Sequence, residues 1–481
     1  MITNQMRVIV GGKGETTIRF FLFLGLLTCC WLLPGAVFAQ EAGGLPDVGA
    51  PTESQAEGET AQPADQPTVT DEAESPAFLG EYGRWIKHAE HMAMTELDLW
   101  GSSSTIPEGF GVMLFGYGTM RAAQRYDNRR KLIDIIPVFD IPDPFHIGGN
   151  FFSLDFNVHG STKGYFAGFM YGITDTLMIG STTMLADIEI KMDPIFTPGS
   201  CERLGVATRA EFYRLLEQLG RPRPKHYYKS EPLDWGDTDL FVTWNWYRSK
   251  YFSTATTQRL YLPTAHRAEP DKAIIFALGP DLDVGNAAWG LNLSEAWDFR
   301  PPAPANIVTF SLGAEGAIYF QTKRKSPKFL KPNRDVWDYM KSQGVELDFF
   351  PDLSDIDPYY YYTPPPWVAV SGGFGIGPIS LTYRHGWGFN GKYETNSPGF
   401  KKVIDEIGLV GTGDDGKIVA AASLPLTPLY IPGIAQFRFE YRTDGRNSLV
   451  FRDVYQMGVG FLIPIAPPEK YRLPKKKEVV K

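Results

Sequence analysis

Apolar and polar residues alternate with a period of two along most of the chain from residue 109 onward. In "AQFRFEYR" (435–442), Phe437 and Phe439 fall on one face of an extended strand, whereas Arg438 and Glu440 fall on the other. A soluble β-sandwich would bury the apolar face as its core, but an outer-membrane barrel would turn that face to lipid and the charged face inward. The alternation by itself therefore leaves two fold classes.

The lengths of the connections choose between these two classes. Outer-membrane barrels have short turns on the periplasmic side and long loops outside, and the gaps between the alternating segments here change from long to short almost throughout. Only the last connection, "TDGRNS" (443–448), is short where a long loop is due. We predict strands near residues 109–126, 150–172, 176–190, 236–248, 251–262, 281–299, 306–322, 366–376, 379–388, 418–430, 433–443 and 449–463.

The sequence therefore predicts an all-β fold: a closed antiparallel transmembrane β-barrel of about 12 strands over residues 109–463. An N-terminal periplasmic helix and helical loop inserts accompany it. In the insert 191–235, "TRAEFYRLLEQLG" starts with Thr208 and Glu211 at capping-box spacing and ends at the helix stop Gly220. This helix could fold inward and constrict the barrel, or it could stand in solvent.

The residues before the barrel divide into three predicted segments. Residues 1–39 place basic residues before a long apolar run and end on small residues, which predicts a secretory signal peptide, with an uncleaved signal anchor as the alternative. Residues 40–75 carry nine acidic residues and no Lys, Arg or aromatic residue, which predicts a disordered leader. Residues 76–108 are predicted to form an amphipathic helix and a connector. The helix could enter the barrel as a plug, lie on the membrane surface or pack against the rim of the sheet.

Charge and cysteine content narrow the functional classes. The formal net charge is −8, which argues against nucleic-acid binding. Two of the three cysteines fall within residues 1–39, so Cys201 alone remains in the exported chain and cannot form an intramolecular disulfide. Stability must come from packing or from a closed sheet.

Three stretches resemble an outer-membrane barrel family known as the meta-pathway of phenol degradation. They are "YGITDTLMIGSTTML" (171–185), "GDTDLFVTWNWYRS" (236–249) and "GNAAWGLNLSEAWDF" (285–299). Members of that family carry a similar Tyr-Gly-X-Thr-Asp hairpin and a Gly-Asp that opens a strand. The resemblance implies a barrel proposed to pass hydrophobic compounds, and it implies no established catalytic residue. This chain departs from the family in its acidic leader, its large inserts at 191–235 and 323–365, and its tail after the last strand.

Polar residues on the predicted inner faces form the first candidate site. Charges of both signs on neighbouring strands could orient a polar solute or select ions. They could equally pair with one another and fill a narrow lumen, because unpaired buried charge is costly. The predicted lumen-lining residues are Asp237, Asp239, Asn245, Glu315, Arg384, Gln436, Arg438, Glu440, Arg442 and Arg452.

A run of aromatic residues in the insert 323–365 forms the second candidate site. The rings of "YYYYTPPPW" could stack against an aromatic or sugar ligand, or they could belong to an interfacial aromatic belt followed by a stiff polyproline segment. The residues of this possible platform are Tyr359, Tyr360, Tyr361, Tyr362 and Trp367.

Motifs of catalysis are missing from the sequence. It contains no Gly-X-Ser-X-Gly elbow, His-Glu-X-X-His motif, phosphate loop or dinucleotide loop. His159 and His385 fall in strand-like segments and allow a lipid hydrolase as a third hypothesis. The acidic groups near Asp355 and in 411–417 lack the ligand spacing of an EF-hand. We therefore predict no enzyme, no cofactor and no metal.

The sequence as a whole predicts a passive outer-membrane channel or transporter for small solutes, with its terminal segments in the periplasm. The family resemblance implies that these solutes are hydrophobic or aromatic. The alternative is a closed barrel that binds a partner through its loops or periplasmic segments. Membrane lipid and a small solute are the predicted partners. The basic tail 464–481 or the acidic leader could also bind a periplasmic partner, or the tail could simply be solvated.

Overall fold

The structure is a computed structural model, and it describes only part of the chain. The predicted signal peptide, the acidic leader, the helix of 76–108, Gly220 and nearly all of the basic tail lie outside the described residues. These are 103–136, 138–143, 149–218, 227–229, 233–267, 284–326, 338, 356–401, 412–429, 431 and 433–465.

Twelve long strands form one closed antiparallel barrel, as predicted. Each strand pairs with the next along the chain, and the last pairs with the first from Phe110 opposite Pro464 to Arg125 opposite Leu449. The strands are β1 (Phe110–Tyr126), β2 (Val158–Thr174), β3 (Leu177–Met192), β4 (Thr238–Arg248), β5 (Phe252–Leu262), β6 (Gly290–Phe299), β7 (Val308–Tyr319), β8 (Trp367–Ile376), β9 (Ile379–Gly388), β10 (Gly413–Pro425), β11 (Gly433–Arg446) and β12 (Leu449–Pro464).

The two faces of β11 settle which side of the strands meets lipid. Phe437, Phe439 and Tyr441 point out of the barrel and are 40–61% exposed. The intervening side chains of Arg438 and Glu440 point inward and are 15% and 12% exposed. A closed barrel has no free sheet edge, and its apolar exterior suits hydrocarbon. The lipid-facing assignment made from the alternation is therefore confirmed.

Connection lengths sort onto the two ends of the barrel as the sequence predicted. The end that carries residues 175–176, 249–251, 300–307, 377–378 and 426–432 is called the short-turn end. The other is the long-loop end, where only the connection 447–448 is short. Since β1 begins opposite the end of β12, both ends of the barrel sequence lie at the short-turn end.

Three predicted strands differ from the structure, and one of them, the predicted strand 281–299, is Gly290–Phe299. The predicted strand 418–430 is Gly413–Pro425, because Asp414 and Asp415 are held in the sheet by arginine partners. The predicted strand 150–172 is divided, since Asn157 adopts a left-handed conformation with φ of 43° between two strands. The first of these, Asn150–Asp155, belongs to a loop sheet.

The helix in the insert 191–235 is confirmed, and its packing resolves where it lies. Helix α1 spans Arg209–Gln218. At its start, the Thr208 amide donates to Glu211 Oε2 at 2.9 Å and the Glu211 amide donates to Thr208 Oγ1 at 3.3 Å, the predicted capping box. Phe212 is buried against Phe196, with ring centroids 5.0 Å apart. The helix therefore packs within its own loop domain, neither inside the barrel nor alone in solvent. No described helix is both long and apolar enough to cross a membrane.

Smaller elements cap the long-loop end. Three strands at Phe139–Pro142, Asn150–Asp155 and Ile195–Pro198 form the sheet under α1. A second three-stranded sheet, called the loop sheet C, consists of Thr322–Lys325, Tyr359–Thr363 and Lys392–Glu394. The long loops also contain the short strands Leu132–Asp134, Tyr227–Lys229 and Asp234–Trp235 and the 3-10 helix Ser200–Leu204, whereas the 3-10 helices Ala305–Ile307 and Thr427–Leu429 lie at the short-turn end.

Residues 103–109, called the connector, run through the barrel interior before β1 begins. The Ser103 amide and hydroxyl donate to Asp298 on β6, and Asn245 Nδ2 on β4 donates to the Ser103 carbonyl at 2.6 Å. Farther along, the Glu108 amide donates to Asp175 Oδ1 at 3.0 Å. Because β6 lies five strands away from β1, the connector crosses the interior near the short-turn end.

An apolar cluster fixes the connector on the side of β1. Ile106 is fully buried among inward residues of the neighbouring strands. Its members, with the connector residue first, are Ile106, Phe110, Val112, Leu114, Met170, Met178, Phe241 and Leu462. The interior at the short-turn end is thus filled by protein on this side of the barrel.

Candidate functional site

Four barrel strands, β7, β9, β10 and β11, carry ion pairs on their inward faces. The Lys417 Nζ lies 2.6 Å from Glu440 Oε2, and Arg438 Nη2 lies 2.8 Å from Glu440 Oε1. Glu440 is therefore shared by two cations. Residues directly opposite each other in antiparallel strands share a face, so the register assigns all of them to one side of the sheet. This group is called the charged wall and consists of Glu315, Arg384, Asp415, Lys417, Arg438, Glu440 and Arg442.

Two further ion pairs belong to the charged wall. Arg442 is paired with Asp415 on β10. Arg384 Nε on β9 lies 2.8 Å from Glu315 Oε1 on β7, reaching across β8. Cations outnumber carboxylates on this wall by one, because Glu440 has two partners. The charged wall therefore carries a slight excess of positive charge.

A separate ion pair lies on the opposite side of the barrel. Arg259 Nη1 on β5 is 3.0 Å from Asp239 Oδ2 on β4. The other Asp239 oxygen accepts hydrogen bonds from the amide and hydroxyl of Thr182 on β3. The Arg259 guanidinium also lies 4.7 Å from the ring centroid of Phe241. This carboxylate is satisfied from two neighbouring strands.

Three aromatic residues line the interior near the long-loop end. The rings of Tyr261 and Tyr319 are nearly parallel, with centroids 5.7 Å apart. Gly290 lies between them on β6, where a Cβ would come within 2.6 Å of the Tyr319 ring. Trp367 Nε1 is 3.5 Å from the Tyr319 hydroxyl, and the Arg384 guanidinium lies 5.4 Å from the Trp367 ring centroid. Tyr261, Tyr319 and Trp367 are called the aromatic arc.

Several predicted lumen residues hydrogen-bond to other parts of the chain rather than line open space. Asp237 accepts hydrogen bonds from the amides of Asn286 and Ala287 at 2.7 and 3.2 Å, which anchors a long loop. Asn245 holds the connector through the Ser103 carbonyl. Gln436 is buried and donates to Ser423 Oγ at 2.7 Å. These side chains act as structural ties.

Arg452 departs from the predicted face. The register slips between β1 and β12 at this point, and Asp453 has a φ of 52°, which breaks the alternation along β12. Arg452 pairs in register with Arg121, whose side chain is 73% exposed, and it donates to Gln124 Oε1 at 2.8 Å. It lies apart from the charged wall because a bulge reverses which residues point inward.

The tyrosine run does not form one continuous platform. It is a strand of loop sheet C, so successive rings point to opposite sides. Tyr360 and Tyr362 pack against Tyr393, with centroids 5.8 and 4.8 Å apart, whereas Tyr359 and Tyr361 are exposed. Burial raises the pKa of the Tyr393 phenol to about 12. Trp367 lies on β8 and belongs to the aromatic arc instead.

The two histidines considered for hydrolysis lie in separate places. His159 Nε2 is 3.2 Å from Asn157 Oδ1 near the start of β2. His385 contacts its strand neighbours Tyr383 and Trp387, which share its outward face. In the described part of the chain, no cluster of three or more His, Cys, Asp or Glu side chains could hold a metal ion.

One functional group was missed by the sequence analysis because it interrupts an apolar stripe. Glu295 lies on the outward face of β6, between the exposed Leu291 and Phe299. Its carboxylate accepts hydrogen bonds from Thr254 Oγ1 at 2.8 Å, from Thr256 Oγ1, and from Trp246 Nε1 at 3.1 Å. The acidic residue within the alternation was the available signal.

Asp415, Lys417, Asp298 and Arg259 were also missed. Asp415 and Lys417 were assigned to a loop, although they begin β10. Asp298 and Arg259 alternate with outward residues on predicted strands, so their inward position could have been inferred from the pattern alone.

Comparison with known proteins yields similarity in structure only. No protein-family model matches the chain, and no curated protein matches its sequence. The named phenol-degradation family is thus not matched. An outer membrane channel from Pseudomonas putida F1 has a TM-score of 0.43 at 11% identity, covering 76% of this chain and all of that one.

Two further solved structures are similar to this chain at lower TM-scores. A FadL homologue from Pseudomonas aeruginosa has a TM-score of 0.26 at 9% identity, covering 76% of this chain and 92% of that chain. The CymD monoaromatic hydrocarbon channel has a TM-score of 0.25 at 8% identity, covering 74% of this chain and 87% of that chain. At identities this low, function has to be inferred from the residues of this chain.

Proposed function

We propose that this chain is an outer-membrane β-barrel that passes small solutes by passive diffusion. The observation that carries the proposal is the exposure of ion pairs inside the barrel. The side chains of Arg384 and Glu315 are 22% and 34% exposed, although they point away from lipid. Charged groups keep such exposure only where water reaches them, because their desolvation is costly. A water-containing interior is the first requirement of a channel.

The arrangement of charge supports a route along one side of the interior. The connector and its apolar cluster occupy the side of β1, whereas the charged wall spans β7 to β11. A solute would therefore move past the charged wall and leave beside the connector. Arginine and lysine facing such a route favour anions, because they lower the electrostatic energy of negative charge in a pore.

The location of the termini follows from the barrel. Both ends of the barrel sequence lie at the short-turn end, which is periplasmic in outer-membrane proteins. We assign the residues before and after the barrel to the periplasm on this ground. Protease added to intact cells should then cut only the long loops, whereas protease admitted to the periplasm should also cut the terminal segments.

Planar-bilayer recording tests the channel. Purified, folded protein should give discrete currents with a modest preference for anions. Glu440→Gln should increase that preference, since it removes a carboxylate shared by Lys417 and Arg438. Arg438→Gln should reduce it. Arg209→Gln, in the loop domain, is the control and should leave the reversal potential unchanged.

Two results would contradict these expectations. Folded protein with no current at any voltage would reject the channel, whereas currents unaffected by both Glu440→Gln and Arg438→Gln would remove the charged wall from the route. Heat-modifiable migration on gels establishes that each variant is folded before it is recorded.

A closed barrel that serves as a scaffold is the second candidate, and the connector favours it. The connector crosses the interior and is tied to β6 through Ser103 and Asp298. If it seals the barrel, wild-type protein will not conduct, but Asp298→Ala will conduct. If the channel is open beside the connector, wild-type protein conducts and Asp298→Ala only enlarges the current.

A further inference from the structure

Arg384 has more hydrogen-bond donors than its ion pair with Glu315 uses. Only its Nε is engaged by Glu315, at 2.8 Å. Within the described residues, Nη1 and Nη2 have no hydrogen-bond partner, and the side chain is 22% exposed to the interior. A guanidinium presents five N–H donors in a planar fork that fits a carboxylate through two parallel hydrogen bonds. Two donor groups of Arg384 are therefore available to an anion.

Small residues leave space beside these donor groups. Arg384 lies opposite Ser371, and the next inward pair is Ala369 with Gly386. A Cβ built on Gly386 would lie 3.7 Å from Arg384 Nη1, 3.4 Å from Asp415 Oδ1 and 3.8 Å from Ala369 Cβ. These are ordinary van der Waals distances, so the space at Gly386 admits at least one further carbon atom between Arg384, Asp415 and Ala369. The inner wall has a notch next to the terminal amino groups.

Aromatic surface borders the same arginine. The Trp367 ring lies under the Arg384 guanidinium at 5.4 Å and extends toward the long-loop end through Tyr319 and Tyr261. Aromatic rings attract other rings by offset stacking and by edge-to-face contact. The rings of the aromatic arc come from three different strands, and Gly290 allows the Tyr319 ring to lie flat against the wall. Stacking surface and anion-binding donors are thus adjacent.

From this combination we infer that the Arg384 notch and the aromatic arc form a binding subsite for small aromatic carboxylates. The inference rests on the proposed channel function and specifies its solute class. The carboxylate binds the terminal amino groups of Arg384, and the ring packs on Trp367 and Tyr319. The neighbouring Lys417, opposite Arg384 in register, adds positive potential. Neutral aromatic compounds lack the anion, and aliphatic acids lack the ring, so each should bind more weakly.

Equilibrium dialysis of the folded, full-length mature chain in detergent tests the subsite without relying on transport. The probes are benzoate, cyclohexanecarboxylate and phenol, with protein-free micelles as the blank for partitioning. Benzoate should bind at least about threefold more tightly than the other two, because only benzoate satisfies both the guanidinium and the rings. Equal binding of benzoate and cyclohexanecarboxylate would overturn the role of the rings, and equal binding of benzoate and phenol would overturn the role of Arg384.

Three variants locate the binding. Arg384→Gln should weaken benzoate binding about tenfold by removing the charged fork. Arg384→Lys keeps the charge beside Glu315 but loses the planar fork, so it should recover only part of the affinity. Gly386→Val fills this space with a side chain that contacts Arg384 and Asp415 but changes no charge, and it should weaken benzoate binding at least as much as Arg384→Gln. Arg209→Gln, an exposed loop arginine paired with Asp193, is the matched control. Unchanged affinity in both Arg384→Gln and Gly386→Val would reject the subsite.

Bilayer recording separates failure of the subsite from failure of the channel. If the barrel conducts and benzoate reduces the current in wild type but not in Gly386→Val, both proposals stand. Conductance that benzoate does not alter, together with no binding in dialysis, rejects the subsite and leaves the channel. Benzoate binding by a barrel that never conducts rejects the channel and leaves a binding site.

Discussion

The backbone amide and the hydroxyl of Ser103 both donate hydrogen bonds to Oδ2 of Asp298, at 2.9 and 2.5 Å, although 195 residues separate them. This pair ties the start of the connector to the far side of the barrel. The other Asp298 oxygen accepts a hydrogen bond from Ser311 Oγ at 2.6 Å, so the carboxylate is saturated by protein donors. The connector is held by a buried polar contact as well as by the apolar cluster around Ile106.

Loss of this carboxylate should destabilise the barrel. Asp298→Ala leaves the buried Ser103 amide without its acceptor, which costs about 1–3 kcal/mol of unfolding free energy. Urea unfolding in detergent measures the change. Asp193→Ala removes an exposed aspartate in the loop domain and should change stability by less than about 1 kcal/mol. Equal effects of the two substitutions would show that the Ser103 contact contributes nothing particular.

The lipid-facing Glu295 should stabilise the barrel only while the hydroxyls of Thr254 and Thr256 donate hydrogen bonds to it. Glu295→Leu alone leaves the hydroxyls of Thr254 and Thr256 without their acceptor on a surface surrounded by lipid, and should cost about 1–3 kcal/mol. The triple variant Glu295→Leu, Thr254→Val, Thr256→Val replaces the whole group with apolar side chains of similar size. Its stability should return most of the way to wild type, because neither hydroxyl is then left without an acceptor and only the exposed Trp246 Nε1 loses its bond to Glu295. A triple variant less stable than Glu295→Leu would contradict this explanation.

The cap of α1 should weaken in acid. Hydrogen bonds from the Thr208 hydroxyl and from the Ala207 and Thr208 amides lower the pKa of the Glu211 carboxyl. A carboxyl with a lowered folded-state pKa stabilises the helix fully above its unfolded pKa, and this contribution is lost as the pH falls through the folded value. After correction for the pH dependence of intrinsic exchange, amide protection factors at the start of α1 should therefore fall below about pH 4. In Glu211→Gln, exchange should already be faster at neutral pH and should lose this acid dependence.

Loop sheet C should weaken in alkali. Burial between Tyr360 and Tyr362 raises the pKa of Tyr393 to about 12. The unfolded chain releases this proton near pH 10, before the folded chain does, so stability falls as the pH rises from about 10 to about 12. The difference in phenolate absorbance between wild type and Tyr393→Phe measures the titration of this one group. A midpoint near 10 in the folded protein would mean that the ring is not buried.

Much of the fold could be predicted because the alternation of apolar and polar residues along a strand shows which residues share a face. A residue such as Phe437 differs from Arg438 in polarity, and the period of two along 435–442 is read directly from the chain. Segment ends were also predictable where turns are short, as at 377–378. The start of β10 was not, because Asp414 and Asp415 resemble turn residues until arginines from elsewhere in the chain pair with them.

The candidate site residues were harder to predict from the sequence than the fold. Alternation alone assigned Arg438 and Glu440 to the interior, but it failed at Arg452, where a bulge shifts the phase. The tyrosine run was visible as a cluster, yet the pleat of its strand separates Tyr359 and Tyr361 from Tyr360 and Tyr362. No local pattern indicated that Trp367 would join Tyr319 and Arg384 rather than its tyrosine neighbours.

The sequence by itself determined the class of fold, the number of strands and the face that meets lipid, because hydrophobic period and connection length are local properties. Only the tertiary structure decided which charges share a partner and which segment occupies the interior. The contacts of Glu440 with Lys417 and Arg438, and of Ser103 with Asp298, depend on strand register and on closure of the barrel. Closure brings together residues that are distant in sequence, and a pattern read along one strand holds no information about them.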